Sequence, residues 1–194
     1  MQSASALIGS LFIATSALAD MPADACITPA ASFHKVNPDV LRAILVVESG
    51  LNPKAVNRND NGTLDIGIGQ MNSIHLRELS KYGISADDLK NPCIGTYVAA
   101  WHLARVIKRH GNTWFGIAAY HSTTPYFNSR YQALVHNSMV RAKVLPGPLI
   151  AVPPLRPGQS TMTAQSSPSR SQAQRKHRGE RSAEDELLFA LINQ

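Results

Sequence analysis

Leu41-Arg42-Ala43-Ile44-Leu45-Val46-Val47-Glu48-Ser49-Gly50 is the stretch whose reading decides the fold. Asn37 and Pro38 ahead of it supply an N-cap and a proline at the first helical position, and Gly50 supplies the stop, so the spacing predicts a helix of about three turns. Leu41, Ile44, Leu45 and Glu48 recur at i, i+3, i+4 and i+7, which puts a carboxylate on a face of aliphatic side chains. Loss of hydration on that face, and a place in the last turn where the helix dipole disfavours negative charge, both raise its pKa. A raised carboxyl pKa is what a general acid working near neutral pH needs. A glutamate at a frayed helix end, swinging out to water, satisfies the same periodicity, and the helix alone leaves the two open.

Outward from this helix the signals stay mostly helical. Asn52 to Gly69 is rich in Asn, Gly and Pro and predicts a loop with at most a small hairpin around Asn61-Gly62. Ser73 is placed to cap a short helix from Ile74 to about Lys81, ended by Gly83, and Ser85 to cap another before Pro92. Pro92 opens the longest helix, running to about His110 with Gly111 as its stop and with Ile94, Tyr97, Val98, Trp101 and Arg105 on one side. Asn112 is expected to cap a helix from Trp114 to about His121, and Asn128 or Ser129 to start a last one ending near Val144. The domain is expected to be mainly α, with a loop-rich insertion after its first helix.

The ends of the chain differ in composition from its middle. Ala6 to Leu18 is apolar or small, carries no charge and runs into Ala17-Leu18-Ala19 before Asp20, which reads as a secretory leader over residues 1–19. It is short for a membrane span, and no later apolar run is long enough for one; no Lys or Arg precedes it, so an uncleaved anchor is the alternative. Residues 20–145 form one expected domain. From Pro146 to Arg181 prolines, serines, glutamines and basic residues dominate, predicting a disordered tail over 146–194. Within it Ala183 to Ile192 could form a short helix, with Leu187, Leu188 and Leu191 as one apolar face; it is a docking peptide or a frayed end.

Two cysteines, Cys26 and Cys93, suggest in an exported chain a disulfide stabilising by about 4 kcal/mol, with two buried thiols that never meet as the alternative. Neither has the close Cys or His neighbours of a zinc site, so no metal is expected. The net charge of +6 and the run Arg175-Lys176-His177-Arg178 raise the question of nucleic acid, but the run has no interleaved aromatics and no binding module precedes it. Acidic peptides and membrane surfaces attract a basic chain equally well, and no nucleic-acid partner is expected.

Three short motifs stand in order: Glu48-Ser49-Gly50, Asp65-Ile66-Gly67-Ile68-Gly69-Gln70 and Ala118-Ala119-Tyr120-His121. Together with Asn52-Pro53, Asn61-Gly62-Thr63-Leu64-Asp65, Tyr82-Gly83-Ile84 and Asn91-Pro92-Cys93, this run resembles the soluble lytic transglycosylase family over about residues 26 to 142. Within that family it is similar to the small members that accompany conjugation and type IV secretion machines. The resemblance implies an α+β, goose-type-lysozyme-like fold and a monomeric periplasmic enzyme without cofactor. Its expected reaction cuts the β-1,4 bond between N-acetylmuramic acid and N-acetylglucosamine in peptidoglycan and leaves a 1,6-anhydro sugar.

By the same resemblance Glu48 is the acid and then the base, Ser49 and Gln70 line the sugar site, and Tyr120 orients Glu48 through a hydrogen bond; a surface residue at the helix end is the alternative for Ser49, and an aromatic filling the core with its hydroxyl at the rim is the alternative for Tyr120. Tyr131 stands at the groove, and Gly67 and Gly69 let the backbone approach the glycan closely, though an ordinary turn explains them equally. The chain departs from the family pattern at Gly69, where a Met is common, and at His121, where an Asn is common. His121 reads as a histidine satisfied at a helix end, with glycan contact as the alternative. Asp65 reads as a turn-fixing side chain bonded to nearby backbone, not as the second carboxyl that a hydrolase needs. Peptidoglycan strands are the implied partners, with components of a secretion or conjugation machine reached through the tail. A glycan-binding assembly protein that does not cut and a hydrolytic lysozyme are the rival readings.

Overall fold

The computed structural model describes residues 22–155. The expected leader and the leucine-rich stretch near the carboxyl end lie outside the described residues. In order, the chain forms α1 (Ala23–Phe33), α2 (Pro38–Ser49), three short strands β1 (Val56–Arg58), β2 (Leu64–Ile66) and β3 (Met71–Asn72), then α3 (Leu76–Leu79), α4 (Pro92–His110), α5 (Trp114–Ala118) and α6 (Pro125–Arg141). This is the mainly α, lysozyme-like α+β architecture that the motifs imply, with the small sheet inserted after α2.

The helix signals with a clear chemistry are realised. The Asn37 side chain accepts from the N–H groups of Asp39 and Val40 at 2.8 and 3.1 Å, Pro38 takes the first helical position, and Gly50 closes α2 at φ 62°. Asn91 caps α4 in the same way through Cys93 and Ile94, again followed by proline.

Other expectations are corrected. Helix α1 was not anticipated, because Pro29 inside it lacks an N–H and reads as a breaker; burial of Cys26, Ile27, Ala30 and Ala31 against the core outweighs that loss. Asn72, not Ser73, caps the segment after the sheet, and that segment is α3 between two 3-10 turns, ending at Gly83 with φ 75°. Thr113, not Asn112, caps α5, which stops at Ala118 and leaves Tyr120 and His121 beyond its end. Helix α6 starts at Pro125; Asn128 lies buried within it and donates to the carbonyls of Phe115 and Ser122, a tertiary role in place of a cap.

Two cores flank the site. One gathers Leu41, Ile44 and Leu45 of α2 with Leu103 of α4 and Val135 of α6; the other packs Ile66, Met71, Leu79, Ile84 and Leu89 under the sheet against Val98 and Trp101 of α4. Helix α4 thus serves both. The Cys26–Cys93 disulfide joins α1 to α4, with Cα atoms 5.2 Å apart. The strands pair antiparallel in the order β1-β2-β3, and their register sets Asn57, Asp65 and Asn72 in one row across the sheet. No helix among the described residues is long and apolar enough to cross a membrane.

Beyond Leu145 the chain stays against the helices. Residues 146–155 run as an irregular strap along α6. The buried Asn137 carboxamide donates to the Ile150 carbonyl at 2.8 Å and accepts from the Ile150 N–H at 2.9 Å, a pairing like that of a strand neighbour. The Tyr126 hydroxyl and the Arg130 guanidinium donate to the carbonyls of Pro154 and Pro153.

Candidate active site

A cavity of about 420 Å³ opens between the lobes, bounded by the end of α2, the polar row of the sheet, α4 and the facing side of α6. Helix α2 delivers Glu48 to it because Leu41, Ile44 and Leu45 are all fully buried and fix the rotation of the helix. Glu48 itself is half-buried at the cavity wall. Tyr131 of α6 donates its hydroxyl to Glu48 Oε1 at 2.5 Å.

Three influences set the Glu48 carboxyl, and they do not agree in sign. Burial raises its pKa most, the Tyr131 hydrogen bond lowers it by favouring the charged form, and the Asp65 carboxylate raises it again, leaving it at about 7. Burial and the nearby Glu48 charge push the Tyr131 phenol well above its ordinary range, so it remains a donor at neutral pH.

The tyrosine hydroxyl bonded to Glu48 is that of Tyr131, where the motif led to Tyr120. The Tyr120 hydroxyl donates to the Gly69 carbonyl at 2.8 Å instead. A Cβ at Gly69 would stand 2.7 Å from the Ala99 Cβ and 2.8 Å from the Tyr120 hydroxyl, so the residue is held to glycine by Ala99 and the phenol packed on it. At Gly67, with φ 78°, a Cβ would lie 2.0 Å from the Leu89 carbonyl oxygen. These glycines make room for other parts of the protein, whereas the motif suggested room for a glycan; Gly69 borders the cavity and Gly67 does not.

Ser49 also works inward. Its hydroxyl donates to the Ile68 carbonyl at 2.7 Å and accepts from the Asn52 N–H at 3.1 Å, tying the end of α2 to the glycine-bearing loop, and it is absent from the cavity wall. Gln70 does face the cavity. Its carboxamide accepts from Asn57 Nδ2 at 2.6 Å and donates to the Gly67 carbonyl at 2.8 Å, which supports a backbone held at φ 46°.

Asp65 borders the cavity from the sheet, and its partners are side chains where nearby backbone was expected: Asn72 Nδ2 at 2.7 Å and Asn59 Nδ2 at 3.0 Å. His121 stacks on Tyr131 with ring centroids 5.0 Å apart and planes 7° from parallel. His75 and His102 at the same cavity escaped the sequence reading. His102 lies with its ring 4.9 Å from that of Tyr120 and 5.2 Å from that of His75, and burial carries its pKa down to about 3. Its place four residues after the buried Val98 on α4 was the available signal. Among the described residues no group of three or more His, Cys, Asp or Glu stands together as a metal site.

The site is thus a lysozyme-like domain presenting one carboxyl of raised pKa to an open, polar-walled cleft. The transglycosylase SLT domain family matches residues 25–132, and the chain belongs to that family. Over 100 residues it is 35% identical to the invasion protein IagB of Salmonella typhimurium, covering 51% of this chain and 62% of the relative. Protein IpgF of Shigella flexneri is 35% identical over 100 residues, 51% of this chain and 66% of its own length. The X polypeptide of Escherichia coli is 36% identical over 98 residues, 50% and 58% of the two chains. The chain thus spans about three fifths of the length of the curated relatives it matches.

Proposed function

We propose that this chain is a peptidoglycan lytic transglycosylase that cleaves the β-1,4 bond between N-acetylmuramic acid and N-acetylglucosamine without water as the nucleophile. The observation that carries the reading is Glu48, a carboxyl that burial keeps partly protonated near pH 7 and that accepts from a tyrosine hydroxyl. Its proton goes to the leaving glycosidic oxygen as the C–O bond breaks. The resulting carboxylate then takes the proton of the sugar's own 6-hydroxyl while that oxygen bonds to the anomeric carbon, closing the anhydro ring and restoring the acid. An intramolecular nucleophile has a high effective concentration, so one carboxyl suffices.

Gln70 and the row of Asn57, Asp65 and Asn72 offer polar contacts to the sugars. Ser49 and Gly67 support the walls from behind, while Gly69 and Tyr120 border the cavity themselves. Asp65 facing the same cavity is the observation that favours a second reading, hydrolysis with a water activated by that carboxylate. Mass spectrometry of digested peptidoglycan separates the readings: 1,6-anhydromuramic ends are expected, reducing muramic ends would mean hydrolysis, and no new ends would leave a binding protein.

The leader-like start, the disulfide and the family support export and action in the periplasm. The catalytic unit is proposed to run to 155, with the rest of the basic tail as the contact to an envelope-spanning machine. The naming of IagB as an invasion protein, and the motif likeness to conjugation-associated members, support local opening of the wall for such a machine.

A further inference from the structure

Two consecutive residues leave the end of α5 in opposite service. Tyr120 reaches the Gly69 carbonyl with its hydroxyl, and its own carbonyl stands 3.3 Å from His102 Nε2. The His121 N–H donates to the Ala118 carbonyl at 3.1 Å, so the peptide joining Tyr120 to His121 is held by both of its polar groups. Its ring then lies flat on the buried ring of Tyr131. A phenol oxygen sits on the axis about which its ring spins, so spinning does not displace it. Only sideways sway of the whole ring would carry the hydroxyl away from Glu48, and a flat face laid against the ring opposes that sway.

We propose that His121 is a positioning residue: its imidazole face holds Tyr131, and through Tyr131 the Glu48 carboxyl, in the geometry for proton transfer. The proposal rests on the role assigned to Glu48 above and adds to it a residue that needs no contact with the sugar. It also gives a physical meaning to the imidazole at a place where the family commonly has a carboxamide, since a planar ring covers a phenol face and a carboxamide covers it poorly. Burial keeps the imidazole below its ordinary pKa, which leaves it uncharged at neutral pH.

The test compares His121→Ala, His121→Leu and His121→Phe in the full chain, with steady-state glycan cleavage and carbon-13 NMR titration of the Glu48 carboxyl. Removing the ring is expected to lower kcat about tenfold while KM stays within about twofold, and the Phe variant is expected to return kcat to within about twofold of the parent. The Tyr131 hydrogen bond lowers the Glu48 pKa, so the Ala and Leu variants should move its titration midpoint upward and the Phe variant should leave it in place. Equal loss in all three variants, a change in KM alone, or no change in the Ala variant would overturn the proposal. Should Ala fail to fold, Leu carries the comparison. If the folded parent cuts no glycan while the midpoints shift as expected, the positioning holds and the cleavage reading falls.

Discussion

At the scale of single residues the Glu48 proton carries the proposed chemistry, and losing it is a cost to the fold. Its ordinary value is 4.5 and its folded value about 7, so the folded state holds the proton more tightly. The stabilising contribution is complete below about pH 4.5 and is lost as the pH rises through about 7. Glu48→Gln escapes that loss: chemical unfolding should find it more stable than the parent by about 2–3 kcal/mol near pH 8 and equal to it near pH 4. Glycan cleavage by Glu48→Gln should fall to background, and in the parent kcat/KM should decline above about pH 7. Tyr131→Phe removes the bond that lowers this pKa, so the decline should move to higher pH while kcat drops. Gly69→Ala should cost about 1–3 kcal/mol by displacing the Tyr120 hydroxyl, with part of the cost recovered when Tyr120→Phe is added. The face that carries Glu48 is legible in the sequence from three aliphatic neighbours at helical spacing, although that spacing alone does not separate it from a frayed end. The hydrogen-bond partner of Glu48 is not legible there: Tyr131 lies 83 positions away, and no local rule links the two.

At the scale of elements the helices with Asn-Pro starts were legible, since cap and proline act within four residues of each other. Helix α1 was not legible, because tertiary burial decided against a local breaker, and the strap over 146–155 was hidden because its hold on α6 comes mostly from backbone groups. Composition describes side chains, so a proline-rich stretch that is bound by its carbonyls looks free. Ending the chain at Leu145 should remove the two Asn137–Ile150 hydrogen bonds together with the strap that covers them and cost about 1–3 kcal/mol, whereas ending it at Leu155 keeps both bonds; thermal melts of the two truncations give the comparison.

At the scale of the whole molecule the fold class was legible from three motifs in order, and the cavity was not. Motifs name residues, while the space between two lobes depends on how α4 packs both cores at once. The bridge from α1 to α4 is the covalent part of that arrangement. Reduction should lower the unfolding free energy by about 4 kcal/mol, read as a shift of the urea midpoint with and without reductant.

That same bridge sorts the site by connectivity. Glu48, Asp65 and Gln70 lie inside the ring closed by Cys26 and Cys93, while Tyr120, His121 and Tyr131 lie on the open chain beyond it. A protease cutting once at the exposed Lys81 leaves a single oxidised molecule in two peptides that share every original contact. One cut in the turn after α5 instead separates the carboxyl from the tyrosine bonded to it, with only non-covalent contacts to keep the halves together.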